Sequence, residues 1–189
     1  MEAIVCPTER NFTVDDYYKL ADAGILGATE RVELMNGRIY VIPPIGTGHA
    51  ECVRRLTDLM YEMIAPRARV SVQNPIRLDD RSEPEPDLAL LDPATSYRGR
   101  HPQPRDVLLL IEVSDTTLDF DLNEKTPLYA RAGIREVWVV ALGDERVHVL
   151  REPGRNGYAW HRVFGRGDTL DIGAFPDAAG VAVGDVLGS

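Results

Sequence analysis

A mixed α/β sandwich with its sheet as the middle layer is the fold class this sequence predicts, and three observations predict it. DLALL, DVLLLIEV and EVWVVAL are short runs, apolar almost throughout, the pattern of strands covered on both faces. His49 to Ile64 carries apolar residues at Cys52/Val53, Leu56, Leu59/Met60 and Met63/Ile64, the spacing of a helix with one buried stripe. KTPLYARAG, closing on Gly133, reads as a second helix between two of the apolar runs. With ARVSVQNPIRL as a further strand, the order is helix, strand, strand, strand, helix, strand, which sets helices around a central sheet.

The elements follow in chain order. FTVDDYYKLADAGI is a short helix with Thr13 as N-cap, acids in the first turn and Gly24 near its end. RVELMNGRIYVI is a hairpin, because Asn36-Gly37 joins two β-prone runs with the residues a type I′ turn requires. PPIGTGH makes a loop before the helix of His49. Its GTG lacks the GK[ST] of a phosphate loop and is a weak signal. SDTTLDFDLNEK is polar and leads into a helix that Lys125 opens. ERVHVLR, YAWHRVF and DTLDI supply further strands in the tail. No repeat, low-complexity tract or long linker interrupts the chain. One domain over 1–189 is expected, with a core of about 28–150 and a C-terminal strand extension of about 151–189.

Composition narrows the function. A formal charge of -9 argues against a protein that simply coats nucleic acid, since such binding depends on Lys and Arg displacing counterions. It leaves room for an enzyme with a local basic groove. No apolar run approaches the roughly 20 residues a membrane helix needs, and MEAIVCPTERNF has neither a basic start nor an apolar signal core. The expected location is cytoplasmic, without membrane association. Cys6 and Cys52 fit no metal spacing and read as incidental or buried thiols. Of 21 basic residues only Lys19 and Lys125 are lysine, so each is worth inspection.

The stretch EPEPDLALLD concentrates the chemistry. Pro84 and Pro86 forbid helix and bias their predecessors toward extended backbone, so the chain enters a strand at Asp87 in a defined register. Glu112 lies near the end of the neighbouring strand, and an acid closing an apolar strand is costly to bury unless paired or bound to metal. Two carboxylates at one sheet edge form an oxygen-rich site for a hard cation such as Mg²⁺, which keeps several waters and needs only one or two protein carboxylates. An ammonium from Lys125, packed back over the sheet, would bind the scissile phosphate or orient the attacking water.

At these residues the sequence resembles a known family. Pro86-Asp87, IEVSDTTLDFD, EKTPLYARAGIREVWVV, RVELMNGRIYVIPP and Gly48-His49 look like the Uma-two family of restriction-endonuclease-like proteins, within the PD-(D/E)XK nuclease superfamily. The resemblance covers roughly Phe12 to Leu150. It implies a restriction-endonuclease-like core, a central mixed β-sheet flanked by helices, with an N-terminal β-hairpin and extra C-terminal strands. It also implies a metal-dependent endonuclease that hydrolyses phosphodiester bonds of DNA, RNA being a further substrate class, with Mg²⁺ or Mn²⁺ as cofactor.

Carried over, Asp87 is the acid of PD and Glu112 the acid of (D/E)XK, both metal ligands. The motif's lysine position is Ser114, so the ammonium is expected from Lys125 instead. The earlier acid is expected to be Glu33, on a half-exposed hairpin. His49 reads as a hydrogen-bonded residue of a helix N-terminus rather than a general base. Asp115, Asp119 and Asp121 suit a loop and helix start, with Asp121 a candidate to support the metal ligands. Tyr129, one turn after Lys125, reads as core or as a brace for that lysine. A homodimer is expected, built on sheet surface in the tail that includes Trp160. The reading from another class is a catalytically idle relative that keeps the fold to bind nucleic acid or protein. The negative charge and Ser114 speak for that alternative.

Overall fold

The computed structural model describes residues 9–27 and 29–188; Cys6 and the rest of the segment before Glu9 lie outside them. Helix α1 (Val14–Asp22) begins where expected. Thr13 accepts from the Asp16 amide and the Asp16 carboxylate accepts from Thr13, a reciprocal capping box. Strands β1 (Val32–Met35) and β2 (Arg38–Val41) form the hairpin. Its turn has φ of 51° at Asn36 and 77° at Gly37, the doubly left-handed geometry of a type I′ connection.

Helix α2 (Thr47–Ile64) starts two residues before His49, and Gly46 is its N-cap. The GTG segment therefore begins a helix. Strand β3 (Arg69–Val72) is shorter than ARVSVQNPIRL suggests, because Gln73 takes a φ of 49° and turns the chain out of the ladder. Strands β4 (Leu88–Leu91) and β5 (Val107–Ser114) follow.

The next region departs from expectation. A helical run comprises α3 (Leu118–Phe120), a π-helical turn (Asp121–Lys125) and α4 (Thr126–Ala132). Lys125 thus stands inside the run rather than opening a helix. The run stops at Gly133, whose φ is 85°.

Strands β6 (Glu136–Ala141), β7 (Arg146–Gly154) and β8 (Gly157–Gly165) complete a six-stranded sheet in the order β3-β4-β5-β6-β7-β8. Only β5 and β6 run parallel. Strands β9 (Thr169–Leu170) and β10 (Val181–Ala182) form a small pair, and α5 (Val183–Leu187) ends the described chain.

The sheet has two different faces. On one, Leu56, Met60 and Ile64 of α2 pack with Leu88, Leu90, Leu109, Ile111 and Trp138, and the tail from Leu170 to Val186 closes over them. Glu136 fastens that tail, accepting from Trp138 Nε1, Arg151 and the Gly173 amide at 2.8 Å each. On the other face Leu128, Tyr129 and Ile134 cover Leu110, Val137 and Val139. Side chains alternate along a strand, so Glu112 and Ser114 share this second face with Leu110. Leu88 is registered with Ile111, which brings Asp87 opposite Glu112 on the same face.

Candidate active site

Four polar side chains expected from the sequence, together with His49, line one recess of about 80 Å³ at this end of the sheet: Asp87, Glu112, Lys125 and Glu33. Each comes from a different element. Asp87 immediately precedes β4, Glu112 is on β5, Lys125 is on the π-helical turn and Glu33 is on β1. Glu33 is 3 % exposed, where a half-exposed hairpin residue was expected. The hairpin is stitched inward by the Glu83 amide donating to the Leu34 carbonyl at 2.8 Å and the Asn36 amide donating to Ser82 Oγ at 3.1 Å.

Lys125 explains its own burial. Its Nζ donates to Glu33 Oε1 at 3.1 Å and to Glu112 Oε1 at 3.3 Å. Burial works against the ammonium, but Glu112, Glu33 and Asp121 outweigh it and hold the amine protonated well above its usual range. The π-helical turn offsets the normal helical repeat by one residue, a feature often found at functional sites.

Tyr129 is fully buried, and its hydroxyl donates to Glu112 Oε1. It therefore braces the carboxylate and not Lys125. Glu112 Oε2 has no hydrogen-bond partner among the described residues. Burial pushes the Glu112 carboxyl up to about 8; Lys125 opposes the rise, and Asp121, Asp87 and Glu33 add to it. Glu33 is likewise raised by burial against the pull of Lys125. The trio holds more potential negative charge than one ammonium neutralises, so Lys125 carries its proton while the carboxyls resist ionising together.

Asp87 is treated differently. Burial would raise its carboxyl, yet it lies below its usual range because three donors hold the anion. His49 Nε2 is 3.0 Å from Oδ2, the Val113 amide donates to Oδ2 at 2.9 Å, and Gln73 Nε2 donates to Oδ1 at 3.2 Å. His49 is thus a hydrogen-bonded histidine in the first turn of α2. Its Nδ1 is buried without a partner. Gln73 escaped sequence reading because its role depends on the left-handed turn that aims it back at Asp87.

Ser114, at the position where the motif would carry lysine, donates to Asp121 Oδ2 at 2.7 Å, and Thr117 donates to the same oxygen at 2.6 Å. Asp121 lines the recess and is buried, with its carboxyl raised by burial. Asp115 also reaches the recess, whereas Asp119 accepts from Asn123 on the helical surface. Glu85 and Arg31 line it too, and sequence reading singled out neither. Ile42, Pro43, Pro44, Ile45 and Phe120 form an apolar wall, with Phe120 tilted against Tyr40 at 5.3 Å between ring centroids.

The donor set can be tested against a cation. Among the described residues no three His, Cys, Asp or Glu side chains already converge as a metal cage. A transition metal bound wholly by protein has no ready site there. Glu112 Oε2 is uncommitted, Asp87 Oδ1 receives one hydrogen bond, and Glu33 Oε2 has no hydrogen bond although Lys125 Nζ lies 3.1 Å away. A few hard oxygens beside an open recess fit Mg²⁺, which takes one or two carboxylates and fills its other positions with water.

A central mixed sheet flanked by helices, with a hairpin folded over one end and carboxylates and a lysine gathered beneath it, is a nuclease-like α/β architecture. The chain matches the Uma2 family model, described as "putative restriction endonuclease", over residues 14–184, and it belongs to that family. Its fold is similar to the crystal structure of a "putative nuclease belonging to DUF820" from Anabaena variabilis, with a TM-score of 0.69 and 16% sequence identity, covering 93% of this chain and 97% of that one. At that identity the likeness concerns the fold alone. No curated protein matches the chain. Among the described residues no helix is long and apolar enough to cross a membrane.

Proposed function

We propose that the protein is a nuclease that hydrolyses phosphodiester bonds of DNA with a divalent cation, Mg²⁺ or Mn²⁺, held by Asp87 and Glu112. The observation that carries this reading is the convergence of Asp87, Glu112, Glu33 and Lys125 in one recess. When bound, the cation supplies charge neutralisation for the phosphate and acidifies a coordinated water.

The chain's own residues do the positioning. His49, Gln73 and the Val113 amide fix the Asp87 carboxylate, while Tyr129 fixes Glu112 and leaves Oε2 toward a ligand. Lys125 places a permanent positive charge between Glu33 and Glu112, where it stabilises charge developing on a phosphoryl oxygen. The apolar wall of Ile42 to Ile45 and Phe120 limits water around the reacting group.

The test is cleavage of mixed-sequence single- and double-stranded DNA, and of RNA, with Mg²⁺ or Mn²⁺. Glu112→Gln should lower the rate by about 10² or more, the scale for losing one electrostatic stabiliser of a transition state. Cleavage that persists in Glu112→Gln removes this reading. The reading as an idle binding module draws on Ser114 standing at the motif's lysine position and on the charge of -9. It is favoured if the wild type binds DNA and cuts none of these substrates.

We also propose one domain and a homodimer, with β8 as the contacting edge, since β8 pairs only with β7 in the described sheet. Light scattering at the monomer mass of 21.0 kDa across a wide concentration range would exclude the dimer.

A further inference from the structure

A second polar region lies away from the recess, on the connection between β4 and β5. From 92 to 103 this connection has no helix or strand, and a long irregular loop in a compact fold is often a binding element. It is nevertheless firmly held. Tyr97 donates to the Asp92 carbonyl at 3.0 Å, the Arg77 amide donates to the Pro102 carbonyl at 2.9 Å, and Arg100 forks onto Asp106 at 2.6 and 3.2 Å. Arg100 also donates to the His101 carbonyl at 3.1 Å.

The loop walls a cavity of about 680 Å³ lined by Arg77, Arg98, Arg100 and His101 together with Tyr18 and Tyr97, against a single acid, Asp80. In a chain of charge -9 this is a local reversal of sign. Arg98 is exposed and has no ion pair among the described residues. The acids near Arg77, Asp80 at 3.4 Å and Asp15 at 3.8 Å, are largely in solvent, so they neutralise it weakly.

His101 is oriented from within the fold. Tyr18 donates its hydroxyl proton to Glu83 Oε1, a carboxylate that is 3 % exposed. Burial, and then this bond, push the Tyr18 phenol well above its usual range, so it remains a donor to Glu83. Its oxygen, 3.1 Å from His101 Nε2, must then accept a proton from that ring nitrogen. The chain Glu83–Tyr18–His101 sets the Nε2–H tautomer and leaves Nδ1 uncommitted. Glu83 Oε2 is buried without a partner, a costly arrangement that no packing need of Tyr18 alone explains.

We infer that the cavity of the 97–103 loop, with Arg98 and the oriented His101, binds the phosphodiester backbone of a nucleic-acid strand beside the cleavage recess. The inference rests on the nuclease reading for its choice of ligand. Cations with interleaved aromatic rings are the chemistry that tracks such a strand. The segment EPEPD joins the two places: Glu83 holds the Tyr18–His101 chain, and Asp87 lines the recess four residues on. Extended backbone of that length spans about 13 Å, so one strand can contact both. The acids lining the recess repel a polyanion, and the loop supplies the compensating attraction.

The experiment measures fluorescence anisotropy of labelled single-stranded DNA, duplex DNA and RNA in chelator, where cleavage cannot intervene, over a series of salt concentrations. Arg98→Ala/His101→Ala should weaken binding by about tenfold or more and flatten the log–log salt slope by about 1 to 2, close to one per lost phosphate contact. Arg155→Ala, in the turn between β7 and β8, makes the same change of charge at an exposed site outside the cavity and should leave both unchanged. Tyr18→Phe should weaken binding less and release the His101 tautomer, which the imidazole ¹⁵N shifts report. Circular dichroism melts verify that each variant folds.

The inference is overturned if the double variant binds like wild type, if Arg155→Ala loses as much, or if the wild type binds none of the three probes. Loop-dependent binding in a protein that never cleaves would sink the nuclease reading and leave the loop site standing. Cleavage with loop-independent binding would do the reverse.

Discussion

The two faces of the central sheet are built on opposite rules. Under α2 and the tail, side chains such as Leu56, Leu90, Ile111 and Trp138 meet without charge, and stability comes from apolar burial. Under α4 and the hairpin, the same strands end in Glu112 and Ser114, and a buried lysine lies between two buried carboxylates. The first face tolerates the loss of atoms in proportion to the void that remains. The second depends on charge balance, because a lone buried ion costs far more than a missing methyl group. A site for a cation and an anionic substrate requires the second kind.

The sharpest way to break this contrast is to remove the ammonium and keep its shape. Lys125→Met should destabilise the protein by about 3–5 kcal/mol, leaving Glu33 and Glu112 buried without their counter-charge. Adding Glu33→Gln should recover about 1 kcal/mol or more of that loss, since neighbours in one network couple strongly. Urea denaturation of the three proteins gives both numbers. A Lys125→Met protein as stable as wild type would mean that the second face is not governed by charge.

On the apolar face, Leu56→Ala should cost about 2–5 kcal/mol by the same measurement, as Leu56 is fully buried. No change to Glu33 should repair it. Non-additivity between Leu56→Ala and Glu33→Gln would show that the two faces communicate through the sheet.

Mg²⁺ or Mn²⁺ should stabilise the charged face alone. At a hundredfold excess over its dissociation constant the gain is about 2.7 kcal/mol, read as a rise in Tm, and Asp87→Asn/Glu112→Gln should abolish it. A rise that survives in the double variant would move the cation site elsewhere.

The smallest effect is expected away from both faces. Thr13→Ala removes the capping box of α1 and should cost about 1 kcal/mol, with the metal-dependent rise in Tm unaltered. Loss of that response would tie α1 to the site more closely than its contacts do.

Local chemistry in the sequence determined much of this molecule. Thr13, Asn36-Gly37 and Gly133 specify a cap, a turn and a stop through their own backbone and side-chain preferences, and all three stand where read. The apolar runs specify β4, β5 and β6, because a strand covered on both faces has no place for polar residues. The prolines of EPEPD set Asp87 at the mouth of β4, and an acid in so apolar a strand marks Glu112.

What only the tertiary structure decided depends on partners distant in the chain. Glu33 looks half-exposed until the bonds from Glu83 and Asn36 fold the hairpin inward. Tyr129 looks like core or a brace for Lys125 until the π-helical turn rotates α4 and presents its hydroxyl to Glu112. Gln73 has no signal at all, since a left-handed φ at the end of β3 creates its bond to Asp87. The physical reason is common to the three. A capping or turn preference is settled within a few residues, whereas the burial and pairing of a polar group are properties of the space around it, and that space exists only when the sheet, hairpin and helices have come together.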